Sequence, residues 1–258
     1  MIPKIIHYCW LSKDPVPSKF QGYMAGWREK LPDYEFRKWS LESFDIDSSA
    51  WAKEAFERKK YAFAADFIRL YALYHVGGIY LDMDIEVKKD FSPLLDSSLM
   101  IAYENFKETG IEAGVVGAEK GNIFIKSCLD YYNGKHFVEQ DGTLAITPLP
   151  EIMHKCLQKA GYNGIIYPCN YFTAKSYETG EIYADETTYS IHHFAGEWKT
   201  KKQKKWHSFQ MEVRNKYGIK WGERLLKFPF VRIYGALYMY GFGWTIKRII
   251  SKIKAFFL

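Results

Sequence analysis

The sequence predicts an α/β fold followed by a basic helical tail, and three observations lead to this prediction. Residues 2–39 have the pattern of a strand, a helix and a second strand, which is the usual opening of a sheet covered by helices. A long helical segment over residues 51–75 then runs into Gly77-Gly78 and a short apolar strand at residues 79–81. Finally, the C-terminal part of the chain is strongly basic, unlike the rest.

Each element of the α/β part is predicted from its local pattern. A β-rich segment at residues 2–10 predicts the first strand, residues 20–30 a helix that ends before Pro32, and residues 34–39 the second strand. The long helix over residues 51–75 carries apolar side chains that pack inward. The remaining predicted elements are strands at 86–89, 99–104, 165–169 and 189–194 and a helix at 122–132.

Charge divides the chain into two parts. Residues 1–198 hold 21 basic and 28 acidic side chains, a net charge of −7, whereas residues 199–258 hold 15 and 2, a net charge of +13. The sequence therefore predicts a body at 1–198 and a tail at 199–258, with an anionic partner for the tail.

The composition is that of an ordinary globular protein with an unusually high content of aromatic residues. Of 258 residues, 48% are apolar, 26% charged and 18% aromatic, and most rings are expected in the core. The four cysteines are scattered without a Cys-x-x-Cys pair, which argues against a disulfide framework and a zinc site. We find no signal peptide pattern and no run of 18 apolar residues, so a cytoplasmic location is expected.

Asp82 and Asp84 are the first candidates for chemistry. Gly77-Gly78 permits a left-handed helix end, and Ile79-Tyr80-Leu81 then leads both carboxylates to the end of a buried strand. Alternate positions of an extended segment face the same side, so the two can share one Mg²⁺ or Mn²⁺ ion, which would neutralise a diphosphate. The alternative is a solvated acidic turn, because Asp-x-Asp alone is common.

Asp66 and Arg69 are the second pair. They lie three residues apart on the helix that leads to the glycines, so they share one face. A surface ion pair is the alternative, but the apolar neighbours predict burial. A buried pair needs further polar partners, which a bound sugar or diphosphate would supply.

The remaining candidates are aromatic or imidazole side chains near predicted strand ends. A histidine of the pair His192-His193 can complete an oxygen-rich metal site, and the Trp198 indole can donate to a phosphate. His7 and Trp10 on the first strand are ambiguous, since Trp10 either stacks on a nucleobase or fills the core. Packed side chains are the alternative for all five.

The tail predicts an interfacial amphipathic helix. Ile246, Ile249, Ile250, Ile253 and Phe257 fall on one helical face, and the basic side chains lie largely elsewhere. The expected partner is an anionic membrane surface, and the alternative is a helix that packs on the body. Nucleic acid is not expected, because the basic residues belong to no recognisable nucleic-acid-binding module.

These candidates occur in four ordered blocks. In this combination the chain resembles the DXD-containing sugar transferases of glycosyltransferase family 32, which includes bacterial capsular polysaccharide transferases and fungal initiating α-1,6-mannosyltransferases. The blocks cover about residues 1–198 and are Ile2 to Trp10, Ala64 to Arg69, Gly77 to Asp84, and His192-His193 with Trp198.

The resemblance implies a GT-A fold, which is Rossmann-like, a nucleotide-sugar donor with UDP favoured, Mn²⁺ or Mg²⁺, and retention of anomeric configuration. It implies that Asp82, Asp84 and His193 bind the metal, with His193 preferred over His192 because of its spacing to Gly196. The implied donor contacts are Trp10 at the base, Asp66 and Arg69 at sugar hydroxyls, Asp82 at the ribose and Trp198 at the diphosphate, with His7 and Tyr80 as further cofactor-binding candidates.

The expected function is therefore transfer of a hexose to a saccharide or lipid-linked saccharide in surface polysaccharide biosynthesis, at the inner face of a bacterial plasma membrane. The alternatives are a non-catalytic, membrane-associated nucleotide-sugar-binding protein and a metal-dependent phosphoesterase. The chain departs from the family pattern at Glu112-Ala113-Gly114, where an Asn is usual, and at Thr147-Pro148, where Gly-Pro is usual. Donor and acceptor identity therefore stay open.

Overall fold

The structure of the protein is a computed structural model, which describes residues 1–160, 162–197, 199–241 and 245. The chain forms two compact units. The first comprises residues 1–175 and 182–195, and the second comprises residues 176–181 and 196–258. Whether the predicted division at residue 198 separates catalysis from membrane binding stays a prediction.

The first unit is built from strands and helices in mixed order. Its strands are β1 (Ile5–Cys9), β2 (Glu35–Trp39), β3 (Gly78–Leu81), β4 (Ile85–Val87), β5 (Leu99–Met100), β6 (Val115–Ala118) and β7 (Ser190–His192). Its helices are α1 (Ser18–Lys30), α2 (Ala50–Glu57), α3 (Tyr61–His75), α4 (Ile123–Asp130) and α5 (Leu149–Ala160).

The main sheet has five strands in the order β2-β1-β3-β6-β5. Strand β1 is parallel to β2 and β3, whereas β6 is antiparallel to both β3 and β5. Strands β4 and β7 form a separate antiparallel pair. The predicted α/β class with a parallel-containing sheet is confirmed.

The sheet is buried on both faces. Strand β3 is entirely buried, and its residues alternate between two apolar clusters. Tyr80 packs with Ile68 and other residues of α3, whereas Ile79 and Leu81 pack with Trp27 of α1. Because the strand is sealed on both faces, the first side chain beyond its C-terminal end is the first that can reach a site.

Two glycines join α3 to β3. Gly77 has a φ of +77°, and its N–H donates to Leu73 O as expected for a left-handed helix end. Gly78 has a φ of +117°, and a Cβ there would lie 2.6 Å from Ile5 O. The predicted C-cap is confirmed, and close pairing of β3 with β1 adds a steric requirement for glycine.

Several predicted elements differ from the structure. The predicted helix at 51–75 is two helices, because the polar run Arg58-Lys59-Lys60 interrupts it and Lys59 adopts a φ of +56°. The predicted strand at 165–169 makes only a single bridge, between Tyr167 and Ala102. Strand β6 and helix α5 were not predicted. Val115–Ala118 is too short to show a period, and Pro148 and Pro150 obscure the start of α5.

The second unit contains two described helices, α6 (Lys201–Lys227) and α7 (Pro229–Tyr240). Thr200 begins α6 with a capping box to Gln203, and Gly218 interrupts the helix with a φ of +76°. Among the described residues, neither these helices nor any other is both long and apolar enough to cross a bilayer. The predicted amphipathic helix at 246–257 lies outside the described residues.

Candidate functional site

The site is centred on the carboxylates that follow β3. The Asp82 N–H donates to Gly114 O at 2.8 Å and so extends the pairing of β3 with β6 by one residue. The chain then turns at Met83-Asp84, and the Ile85 N–H returns to Asp82 O at 3.1 Å. Asp82 and Asp84 therefore lie at the C-terminal end of the central strand, as the sequence predicted, but on a tight, internally bonded turn and not on the expected extended segment.

Strand β7 leads a histidine to these two carboxylates. His192 is paired with Ile85 at the start of β4, and its Nε2 lies 3.5 Å from Asp84 Oδ1. Ligand atoms of Asp82, Asp84 and His192 all lie within 4.8 Å of one another. This is the one group of three metal-binding side chains found among the described residues.

His193 lies on the other side of the strand. Its Nε2 is 2.8 Å from Glu86 Oε2, and its ring stacks on Tyr23 with 4.9 Å between centroids. Neighbouring strand residues point in opposite directions, so His192 and His193 cannot face the same carboxylates. The predicted metal ligand His193 is therefore replaced by His192 as the candidate.

A buried arginine holds Asp82 from the side of α3. The Arg69 guanidinium is 3.1 Å from Asp82 Oδ1 and 3.1 Å from Asp66 Oδ1, and it also donates to Ala113 O. Its cation lies 4.5 Å from the centre of the buried Tyr80 ring. The predicted Asp66–Arg69 pair is buried as expected, and Tyr80 supports the arginine from inside the core.

Glu112 holds His192 from the opposite side. It is 1% exposed, and its oxygens lie 3.1 and 3.2 Å from His192 Nδ1. The same carboxylate accepts hydrogen bonds from Thr173 Oγ1 at 2.7 Å and from the Gly114 N–H at 2.6 Å. Because Nδ1 faces Glu112, Nε2 is the ring nitrogen directed toward Asp84, and in the neutral imidazole it carries the lone pair that a metal needs.

Sequence reasoning did not identify Glu112 as a site residue. A signal was present, because this carboxylate interrupts the apolar segment Gly110-Ile111 to Val116. A charged residue inside such a segment is rarely buried without a partner. The partner, however, is 80 positions away in sequence, so the pattern alone could not name it.

Burial and neighbouring charges shift the pKa values of the site in opposite directions. Burial raises the pKa of Asp82, and it raises that of Asp66 to about 7. Burial also opposes ionisation of Asp84, but His192 and the Ala195 N–H outweigh it and lower the pKa of Asp84. The pKa of His192 is raised well above its usual value, because Glu112 and Asp84 overcome the effect of burial.

The donor set fits a hard divalent cation. Two carboxylates are ligands that Mn²⁺ and Mg²⁺ accept alongside water and phosphate, and the imidazole favours the less hard Mn²⁺ of the two. Metal binding requires a neutral imidazole, and the charges of Asp82, Asp84 and Glu112 are then opposed in direct contact only by Arg69 among the described residues. A divalent cation would offset this excess of negative charge.

The other predicted residues are less directly involved. His7 is fully buried, and both ring nitrogens are used, Nδ1 accepting from Trp39 Nε1 and Nε2 bonding Gly77 O. His7 thus ties β1 to the end of α3 and has no nitrogen left for a cofactor. Trp10 is partly exposed at the end of β1 and donates to Asp14 O. Trp198 lies outside the described residues.

Known protein families and relatives match the part of the chain that contains these site residues. The family model described as "Glycosyltransferase sugar-binding region containing DXD motif" matches residues 17–101, which include Asp66, Arg69, Asp82 and Asp84. Inositol phosphoceramide mannosyltransferase 3 of Schizosaccharomyces pombe is 33% identical over 128 residues, 48% of this chain and 35% of that protein. Mannosyl phosphorylinositol ceramide synthase SUR1 of Saccharomyces cerevisiae is 33% identical over 99 residues, 37% and 26% of the two chains.

Two further matches extend over more of the chain. The uncharacterized glycosyltransferase L373 of Acanthamoeba polyphaga mimivirus is 25% identical over 217 residues, 74% of this chain and 83% of that protein. Among solved structures, PaToxG glycosyltransferase matches 62% of this chain and 70% of its own with 21% identity and a TM-score of 0.49. The matches to these fungal relatives span only 26–35% of the length of those proteins. The predicted resemblance to the DXD-containing family 32 sugar transferases is confirmed.

Proposed function

We propose that this chain is a metal-dependent glycosyltransferase with a GT-A fold that transfers a hexose from a nucleotide-sugar donor with retention. The observation that carries the proposal is the grouping of Asp82, Asp84 and His192 at the end of β3, within contact of Arg69. A solvated acidic turn does not require contact with a buried arginine such as Arg69. A purely structural Asp–Arg ion pair does not require a histidine beside the two carboxylates.

The position of each residue in the site suggests its role in binding the metal and the donor. Asp82, Asp84 and His192 would hold the cation, which when bound neutralises the diphosphate of the donor. Asp66 and Arg69, which are joined to Asp82 through the Arg69 guanidinium, would orient the hydroxyls of the donor sugar. Trp10, at the end of β1, stays the candidate for stacking on the base, and UDP-sugars stay the favoured donors.

Retention is proposed to proceed by attack of the acceptor on the same face that the diphosphate leaves. Asp66, Asp82 and Glu112 are each engaged by Arg69 or His192. A carboxylate held in this way is poorly suited to form and break a covalent bond to the sugar. Charge stabilisation at the leaving diphosphate is then the main contribution to the rate.

The proposal is tested by donor hydrolysis. A panel of UDP- and GDP-sugars, including mannose donors because the fungal relatives are named mannosyltransferases, is incubated with Mn²⁺, Mg²⁺ or EDTA. We expect release of free sugar with metal only, and a loss on the order of 10²–10³ in rate for Asp84→Asn. The exposed Asp96→Asn serves as the matched control.

Three results would count against the proposal. Equal rates in Asp84→Asn and in the wild type would remove the metal role. Donor binding without turnover in any arm would favour a non-catalytic nucleotide-sugar-binding protein. Cleavage of simple phosphomonoesters in preference to nucleotide sugars would favour a phosphoesterase.

We also propose that the second unit binds an anionic membrane surface, as a peripheral protein with a saccharide or lipid-linked saccharide as acceptor. Large aromatic side chains stand exposed on α6 and α7 and around their junction, with Trp221 61%, Phe228 56% and Phe230 75% accessible. Lysine and arginine side chains alternate with them, an arrangement suited to lipid headgroups. A cytoplasmic position and a role in bacterial surface polysaccharide synthesis remain part of this proposal.

Vesicle co-sedimentation tests the membrane proposal. We expect binding to vesicles that contain phosphatidylglycerol but not to pure phosphatidylcholine. Binding should be lost in Trp221→Ser/Phe230→Ser and on removal of residues 244–258, while donor hydrolysis is spared. Phe106→Ser, at a residue of the first unit that is 71% exposed, is the control. Unchanged sedimentation of the double variant and the truncated chain would refute the proposal.

A further inference from the structure

A groove lies between α1 and β4, outside the metal site described above. It has a volume of about 470 Å³ and is open to solvent along its length. Its lining mixes an aromatic ring, a carboxylate, ammonium groups and bare backbone, contributed among others by Lys19, Gly22, Tyr23, Gly26, Glu86 and Lys88. No residue of this groove has a part in the metal site.

Two glycines of α1, Gly22 and Gly26, line the groove. Gly22 and Gly26 lie one turn apart inside the 13-residue helix α1, and nothing lies within 4 Å of a Cβ added to either. Each glycine costs the helix roughly 1 kcal/mol relative to alanine. Packing within the protein therefore does not explain them, whereas close approach of a ligand to the helix backbone does.

The wall of the groove suits a sugar. Tyr23 lines it, and the ring of Tyr23 is braced by His193, which stacks on it with an interplanar angle of 18°. His193 in turn bonds Glu86, which also pairs with Lys88 at 3.0 Å. A fixed aromatic ring beside a carboxylate and an ammonium group offers a surface for the apolar face of a sugar and partners for its hydroxyls.

One end of the groove lies near the backbone of Asp84. Glu86 follows Asp84 by two residues, and the His193 N–H donates to Asp84 O at 3.1 Å. Lys175 donates to His193 O at 3.3 Å, and burial together with the charge of Lys19 lowers the pKa of Lys175 against the opposite effect of Asp84. The α1 residues that line the groove run from Lys19 to Lys30, a span of about 16 Å at about 1.5 Å per residue, which is longer than a single sugar ring.

We propose that this groove is the acceptor subsite and binds the saccharide portion of the acceptor, with the reacting hydroxyl at the Asp84 end. The inference rests on the proposed glycosyltransferase function. In the transfer, the acceptor oxygen bonds to the anomeric carbon, the bond from that carbon to the diphosphate oxygen breaks, and the acceptor proton passes to the departing diphosphate.

The charges of the groove favour a saccharide over a second nucleotide. Of its three lysines, Lys30 and Lys88 are already paired with Glu29 and Glu86. Lys19 is left as the one lining lysine without an ion pair among the described residues. A diphosphate would need more positive charge than this, whereas a polyhydroxyl ring uses paired acids and bases as acceptors and donors.

The test fills the groove without removing a polar group. In Gly22→Leu/Gly26→Leu the new side chains occupy the groove, and Ala25→Leu adds the same side chain to an exposed position of the same helix. Binding of methyl α- and β-glycosides of mannose, glucose, galactose and N-acetylglucosamine is measured by saturation-transfer NMR on the full chain. Circular dichroism melting checks folding, and Gly22→Ala/Gly26→Ala provides a milder pair that favours the helix.

We expect at least one glycoside to bind the wild type and Ala25→Leu, with at least tenfold weaker binding to the double leucine variant and a smaller loss in the double alanine variant. Binding of no glycoside to the wild type, or equal binding to all four proteins, would overturn the subsite. Donor hydrolysis by the wild type is a separate measurement. Its absence would refute the transferase, whereas hydrolysis combined with leucine-insensitive glycoside binding would refute the groove alone.

Discussion

Replacement of Glu112 by glutamine tests whether His192 is held as a metal ligand. The carboxylate receives Nδ1–H of His192, and the ring nitrogen that remains is directed at Asp84. Glutamine has the same shape, and its oxygen can still accept from Thr173 or from the Gly114 N–H. Its amide group would instead donate to Nδ1, which moves the imidazole proton to Nε2 and removes the lone pair that a metal needs.

The expected loss of metal affinity follows from the hydrogen bond that the substitution changes. Loss of an outer partner of a metal-bound histidine costs roughly 10–100-fold in metal affinity, which at about 1.4 kcal/mol per tenfold is about 1.4–2.8 kcal/mol. Because the side chain is 1% exposed and makes two further hydrogen bonds, alanine would add an unfolding penalty and confuse the result. Glutamine keeps the size of the side chain and its other hydrogen bonds, so that the main change is in the hydrogen bond to His192.

The assay is Mn²⁺ titration by calorimetry and by electron paramagnetic resonance, with thermal unfolding in EDTA as a check on folding. We expect Glu112→Gln to bind Mn²⁺ 10–100-fold more weakly, while the metal-free protein melts within a few degrees of the wild type. Glu119→Gln, just beyond β6, is the matched control. Mn²⁺ affinity within twofold of the wild type would refute the positioning role of Glu112.

Three further predictions concern the two histidines, the glycine turn and the buried arginine. His192→Gln should lower Mn²⁺ affinity by at least about 100-fold and His193→Gln by less than threefold in the same titration; the reverse order would restore His193 as the ligand. Gly78→Ala should lower the free energy of unfolding by about 1–3 kcal/mol more than Gly134→Ala in urea titration, since both have positive φ but only Gly78 lacks room for a Cβ. Arg69→Met should cost about 3–5 kcal/mol in the same titration by leaving buried carboxylates unpaired, and a loss below 1 kcal/mol would mean that the cluster is solvated.

The sequence was most informative where local chemistry decides the structure. Gly77 marked the end of α3 because only glycine takes a left-handed helix end at little cost. Asp82 and Asp84 stood out because they follow an apolar strand directly. Asp66 and Arg69 could be placed on one buried face because the helical period and the apolar neighbours agree. In each case the signal lies within a few residues.

The parts that could not be predicted depend on register between distant segments. Whether His192 or His193 faces the carboxylates is set by the pairing of β7 with β4, where Ile85 is opposite His192. A shift of one residue would exchange the two histidines, and nothing local in the sequence fixes that choice. Glu112 was missed for the same reason, since its role in the site depends on which of the two histidines lies beside it.

The separate anchoring of each candidate ligand argues for a site built before the cation arrives. Arg69 from α3 holds both oxygens of Asp82, the Ala195 N–H holds Asp84, and Glu112 holds His192. These anchors come from three different segments, so the site can form only when the whole first unit has folded. A carboxylate oxygen bonded to one donor retains a lone pair for a metal, and the anchors therefore orient the ligands without consuming them. Such preorganisation reduces the rearrangement needed when metal and donor bind, which is how a fixed electrostatic site contributes to rate.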